Sequence, residues 1–328
     1  MMMTRKNRIV FITILFMVFI LIQPVGACTI FMATSGDEVL AGNNEDWYTI
    51  NSYIQFVPGY GGACGQVYVG TSEWYAEGGM NTMGLFYDVA AIPEVEMNDH
   101  PEKSTRSDWP PVVMLETCAN VSEAIRFFNN SRFDTTIWYQ FLVADRNGDA
   151  AVFAPGSDGE WHFIMKGSDE FLVVTNFNLE INPDYAGCTR YNTATNMLEN
   201  MGTNLTVEYF TTILDEVHNP TGGGIETIYS NICDLTNGEI YLFYSHDFNH
   251  VVRFNLEEEL EQGPHQYKIA DLFPIDETSS TSTTTQIGTL PLDSSELVIT
   301  ISFIFGGSLI GLLVVGLISR RMKQKRYP

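Results

Sequence analysis

Leu297 to Ser319 is a run of 23 residues without a charge, long enough to cross a bilayer as a tilted helix. Arg320, Arg321, Lys323, Lys325 and Arg326 follow at once and predict a cytoplasmic tail over 320–328. The chain before the span at 297–319 is then expected outside the cytoplasm, at the cell membrane. The N-terminus is consistent with that orientation. Arg5, Lys6 and Arg8 precede Ile9 to Ile22, an apolar stretch of 14 residues that is short for a span. Pro24-Val25-Gly26-Ala27 breaks it with small residues, which predicts a signal peptide over 1–27. Cleavage after Ala27 makes Cys28 the first residue of the mature chain. Thr278 to Thr285 are all Ser or Thr and cannot build a core, so 274–296 reads as a stalk. Gly307 and Gly311 form a GxxxG pair, which reads equally as a close contact between two helices, and so a homo-oligomer, or as glycines that face lipid.

Charge separates the body from these ends. Of 17 Lys and Arg, eight stand at the two termini, and all 40 Asp and Glu lie between them, so the body is more acidic than the net −23 indicates. Such a surface repels a polyanion, which excludes nucleic acid as a partner. Aromatic residues at 12% exclude a disordered acidic tail, because they can build a core.

The body, 28–273, has the length of one large domain. Strands are expected at Thr29–Ala33, Val39–Gly42, Gln66–Val69, Leu85–Val89, Ile137–Ala144, Ala150–Phe153, Phe171–Thr175 and Glu239–Ser245. Turns are expected at Ser35–Glu38, Asp145–Asp149 and Thr236–Gly238. Helices are expected at Pro111–Cys118, Ser122–Asn129, Tyr191–Met201 and Val207–Val217, with Ser122-Glu123 as one start. Strands in runs and helices in pairs make this an α+β chain.

Five cysteines are an odd number for an exported protein. If Cys64, Cys118, Cys188 and Cys233 pair, three connectivities are open and Cys28 is left over. A thiol at a newly made N-terminus carries its own base, since the α-amino group has a pKa near ~8 and is partly neutral at pH 7. From the terminus alone, nucleophile, lipid-bearing cysteine and structural cysteine are equal readings.

The following residues weigh toward the first. Cys28-Thr-Ile-Phe, a turn, then Gly42-Asn43-Asn44-Glu45-Asp46-Trp47 resembles the N-terminal signature of the cysteine Ntn hydrolases of the linear amide C–N hydrolase group. That group includes choloylglycine hydrolase, penicillin V acylase, acid ceramidase and the isopenicillin-N acyltransferase type. Glu77-Gly-Gly-Met-Asn81-Thr-Met-Gly84 resembles a second family segment, Val174-Thr175-Asn176 a third, and Cys188-Thr-Arg190 a fourth.

The resemblance implies a four-layer αββα sandwich with Cys28 opening a central strand. It implies Cys28 as nucleophile, Asp46 orienting the amine, Asn176 donating to the oxyanion and Arg190 organising the site. Asn43, Trp47 and Asn81 fall on the substrate side. Asn43 stands where the family has arginine, which removes a cation from beside the thiol. The implied reaction is cleavage of a linear amide of a small N-acyl compound through an acyl-thioester, with no metal or cofactor. Asn44-Glu45-Asp46 also fits cysteine Ntn dipeptidases, and a tethered binding protein on the same scaffold is a third reading. His246 and His250 are expected as solvated loop residues rather than metal ligands.

Overall fold

The computed structural model describes residues 28–48, 51–71, 76–104, 109–183, 187–202, 205–220 and 224–273. The expected signal peptide, stalk, span and tail lie outside these residues. Among the described residues no helix is long and apolar enough to cross a membrane.

Strand β1 (Thr29–Ser35) turns its apolar run to two cores at once. Ile30 and Met32 point to one face, Phe31 and Ala33 to the other, and all four are fully buried. A strand covered on both faces needs apolar residues at every position, which is why 30–33 shows no alternation. Gly36, at φ 60°, turns the chain into β2 (Glu38–Trp47), which pairs antiparallel with β1. The sheet runs β10 (Phe171–Val174), β1, β2, β11 (Glu226–Asp234), β12 (Glu239–Tyr244), β13 (Asp247–Asn255).

A second sheet has eight strands. Its order is β14 (His265–Lys268), β3 (Ser52–Val57), β4 (Gln66–Thr71), β5 (Gly78–Asn81), β6 (Phe86–Glu96), β7 (Thr136–Ala144), β8 (Ala150–Pro155), β9 (Trp161–Met165). The strand pairs of both sheets are antiparallel.

The two sheets share a core that joins Ile30, Met32 and Leu242 of the first to Ile54, Val67, Phe86 and Leu142 of the second. Helices α1 (Pro110–Thr117) and α2 (Val121–Asn130) cover the outer face of the second sheet, where Met114, Leu115 and Phe128 meet Tyr87, Phe141 and Phe153. Helices α3 (Thr189–Glu199) and α4 (Val207–Val217) cover the first, where Phe210, Ile213 and Leu214 meet Phe31, Ile232 and Phe243. The order is helix, sheet, sheet, helix, as the α+β expectation requires. Phe128 and Phe210 are each almost wholly removed from water, a burial that contributes about 1.5–3 kcal/mol per ring. A short α5 (Leu256–Leu260) caps the chain before β14.

The strands and helices expected within 28–273 form, most with shifted ends. Helix α2 begins at Val121, one residue before the expected Ser122 start, and is capped by Asn120, whose side-chain oxygen accepts from the Glu123 N–H at 2.9 Å. Strands β3, β5, β9, β11, β13 and β14 were not among those expected. β11 is buried along nearly its whole length yet carries Ser230 and Asn231 at its centre, which masks its strand character. His250 lies on strand β13, paired with Asp247 at 2.6 Å, and not in a loop; His246 sits at the turn before it. All five cysteines are free thiols, so none of the three possible pairings of Cys64, Cys118, Cys188 and Cys233 is formed.

Candidate active site

Cys28 stands at the head of β1, in the middle of the first sheet, and is 5% exposed. The β1–β2 register places Asn44 opposite Thr29, which brings Glu45 and Asp46 alongside Cys28. Successive residues of a strand point to opposite faces, so these two acids reach different parts of the cysteine. The Glu45 side chain goes to the sulfur, and Cys28 Sγ donates to Glu45 Oε1 at 3.3 Å. The backbone N–H of Asp46 also donates to the sulfur. The Asp46 side chain goes to the other side, where Oδ1 accepts from Thr227 Oγ1 at 2.5 Å. Its Oδ2 is buried and has no hydrogen-bond partner.

Arg190, near the start of α3, closes this second side. Its Nη1 donates to the Cys28 carbonyl at 2.6 Å and to Thr29 Oγ1 at 2.6 Å. Its Nη2 donates to Asn176 Oδ1 at 3.0 Å, and Nη1 stands 3.7 Å from Asp46 Oδ2. Asn176 follows β10, and its Nδ2 donates to the Ala91 carbonyl at 3.0 Å. Arg190 thereby fixes which end of the Asn176 amide is donor. The guanidinium fork joins Arg190 to Cys28, Thr29, Asp46 and Asn176, from three separate stretches of the chain.

Burial and neighbouring charges favour the protonated forms of the groups here. Burial, then the charges of Glu45 and Asp46, push the Cys28 thiol well above its ordinary value. Burial raises the Asp46 carboxyl to about 7, against the lowering pull of Thr227 and Arg190. Glu45 is raised by burial and by the nearby charges of Glu77 and Asp88, and Asp88 by burial and Glu77. Glu77 accepts from Thr71 Oγ1 and from Tyr229 Oη, each at 3.2 Å. Gly78 is required beside this group, because a Cβ there would stand 2.1 Å from Asp88 Oδ2.

A cavity opens from the sulfur between the sheets, enclosing about 510 Å³ with the solvent at its mouth. Cys28, Glu45 and Trp47 come from the first sheet, Val89, Ala91, Trp138 and Tyr139 from the second, with Ala76, Glu77 and Trp109 from connecting segments. Its walls are aromatic, and the acids sit at the end where the thiol lies.

The fold has counterparts among solved structures. The conjugated bile acid hydrolase of Clostridium perfringens, in two variants, superposes with a TM-score of 0.57 at 16% identity, over 73% and 74% of this chain and 96% of each of those chains. Penicillin V acylase of Agrobacterium tumefaciens superposes with a TM-score of 0.54 at 17% identity, over 66% of this chain and 83% of that one. The chain has the fold of the linear amide C–N hydrolases. No family model matches it, and no curated protein matches it in sequence.

Within that fold, the residues singled out in sequence separate into two groups. Cys28, Asp46, Asn176 and Arg190 are gathered into one hydrogen-bonded cluster. Of the three assigned to the substrate side, Trp47 lines the cavity. Asn43 is fully buried beside Glu45, to whose Oε2 it donates at 3.4 Å, and its own Oδ1 has no partner. Asn81 lies at the turn from β5 to β6. Its oxygen accepts from the N–H groups of Met83 and Leu85, and its nitrogen donates to the carbonyls of Leu115 and Cys118. Glu45, Glu77, Asp88 and Thr227 were missed in sequence. Glu45 was detectable, since it sits two residues from Asn43 on one strand face. Thr227 was not, because only the unexpected strand β11 brings it to Asp46.

Proposed function

We propose that the chain is an amidohydrolase that cleaves a linear amide with an N-terminal cysteine nucleophile, made when the signal peptide leaves. One observation carries the reading. Cys28 heads a central strand with its thiol at the end of a cavity, while Arg190 clamps its carbonyl next to a buried Asp46 oxygen that lacks a donor. An α-amine freed at Cys28 is the donor that Asp46 Oδ2 lacks. The fold likeness to two amide-cleaving enzymes supports the same reading.

The steps follow from the charges. In the uncleaved chain the buried thiol keeps its proton and is a poor nucleophile. Cleavage after Ala27 supplies an amine with a pKa near ~8, which takes the thiol proton, while the Asp46 N–H holds the thiolate. Sulfur attacks the amide carbon. Asn176 Nδ2 carries a second N–H besides the one given to Ala91, and the mechanism assigns this N–H to the developing oxyanion. One such donor is typically worth about 3 kcal/mol in the transition state. The ammonium returns its proton to the leaving nitrogen, and water then hydrolyses the thioester.

The enzyme works outside the cytoplasm in this account, tethered through the 297–319 span. Replacement Cys28→Ala is expected to abolish amide turnover while urea denaturation and circular dichroism stay unchanged. Retained turnover would remove the nucleophile assignment.

A further inference from the structure

The acids at the end of the cavity do a different job from Asp46. Glu45 is 4% exposed, faces the cavity and receives only two long contacts, 3.3 Å from Cys28 Sγ and 3.4 Å from Asn43 Nδ2. Asp88 receives the N–H of Val89, the residue that follows it. Among the described residues no ion pair involves Glu45 or Asp88. Asn43, fully buried and held against Glu45, adds an oxygen with no donor at all. Glu45 and Glu77 line this end of the cavity, Asn43 is bonded to Glu45, and Trp47, Trp109 and Trp138 complete the wall; burial favours the protonated Glu45 carboxyl in the empty site, and an entering cation would supply the counter-charge that favours the carboxylate. Carboxylates under aromatic faces favour a cation with apolar flanks. A carboxylate or sulfonate entering the same end would meet Glu45 and Glu77 directly.

Distance decides where on the substrate the cation sits. Sulfur attacks a carbonyl carbon from about 3–3.5 Å. In an aminoacyl group the α-nitrogen lies about 2.5 Å from that carbon. An ammonium bound to a carboxylate sits about 2.7–2.9 Å from its oxygen. With Glu45 Oε1 3.3 Å from Cys28 Sγ, these lengths close on an α-ammonium. An ammonium at the end of a long side chain would overshoot Glu45.

We propose that Glu45 is a specificity-determining residue that holds the α-ammonium of the substrate, and that preferred substrates are aminoacyl amides with a free amine. The proposal rests on the amidohydrolase reading for its chemistry. Cys28 Sγ bonds to the carbonyl carbon as the C–N bond breaks. The leaving amine departs with the proton that came from the thiol. Water then gives its hydroxyl to the acyl carbon and its proton back to the sulfur, which frees an amino acid.

The test separates binding from turnover. In the mature full chain carrying Cys28→Ala, quenching of tryptophan fluorescence compares phenylalaninamide with 3-phenylpropionamide, which lacks only the amine. The amine-bearing ligand is expected to bind on the order of 10- to 100-fold tighter, and Glu45→Gln, which preserves shape, is expected to erase the difference. Equal binding, tighter binding of the deamino ligand, no binding of either, or a preference that survives Glu45→Gln would each overturn the proposal. The first would mean that Glu45 serves the enzyme's own terminal amine. The comparison between the two ligands stands even if the Gln variant fails to fold. In parallel, enzyme with Cys28 intact is given phenylalanine p-nitroanilide and its N-acetyl form. Preference for the free amine supports the proposal, and preference for the blocked form overturns it. Amine-selective binding with no turnover of either anilide would sink the amidohydrolase reading and leave the ammonium site standing.

Discussion

Asp46→Asn should change sign with processing. In the uncleaved chain Asp46 is fully buried, and its Oδ2 lacks a donor while Arg190 stands 3.7 Å away. Its carboxyl rises from 3.8 to about 7, chiefly through burial. The folded state then binds the proton more tightly than the unfolded state. The stability this contributes is fully present below the unfolded pKa of 3.8 and is lost as pH rises through the folded value of about 7. The whole interval corresponds to about 4 kcal/mol at pH 8.5. Asparagine carries no charge to bury, so D46N is expected to stabilise the uncleaved chain by up to about 4 kcal/mol at pH 8.5 and to have little effect at pH 3.5. In the mature chain the Cys28 ammonium supplies the missing donor and the counter-charge. There D46N breaks a buried ion pair and is expected to cost about 3–5 kcal/mol. The assay is urea denaturation followed by tryptophan fluorescence, on the mature chain and on a chain whose leader is retained through Ala27→Leu, each at both pH values. Destabilisation of the uncleaved chain at pH 8.5 to the same extent as the mature one would refute the reasoning, because it would mean that the terminal amine is not the partner of Asp46.

Two further outcomes follow from the site and its scaffold. Asn81→Ala removes four hydrogen bonds, three of them buried, from the turn that ties β5 and β6 to the end of α1, and is expected to lower stability by about 2–4 kcal/mol in thermal unfolding. With the proposed oxyanion role, Asn176→Ala is expected to lower kcat on the order of 100-fold with KM little changed; an equal loss in KM would assign it to ground-state binding instead.

Much of the fold was legible in the sequence because its signals are local. The β1–β2 turn carries Gly36, the β7–β8 and β11–β12 turns carry Gly148 and Gly238, and all three glycines adopt positive φ. Helix α4 was read to its ends, since Thr206 caps it and its apolar face is regular. Strands β5 and β11 escaped because glycine in one and buried polar residues in the other hide the pattern of a strand. The site divides in the same way. Cys28 stood out through its place behind the leader, and motif resemblance added Asp46, Asn176 and Arg190. The acids Glu77 and Asp88 meet Glu45 only through the packing of one sheet on the other, which no local pattern records. Asn81 was placed on the substrate side by resemblance, whereas its hydrogen bonds are those of a turn.

The most direct test of the central claim is mass spectrometry of the N-terminal peptide of the protein isolated from membranes. The account predicts a peptide that begins at Cys28 with a free amine and a free thiol. A chain that still begins at Met1, or a Cys28 carrying a lipid, would contradict it.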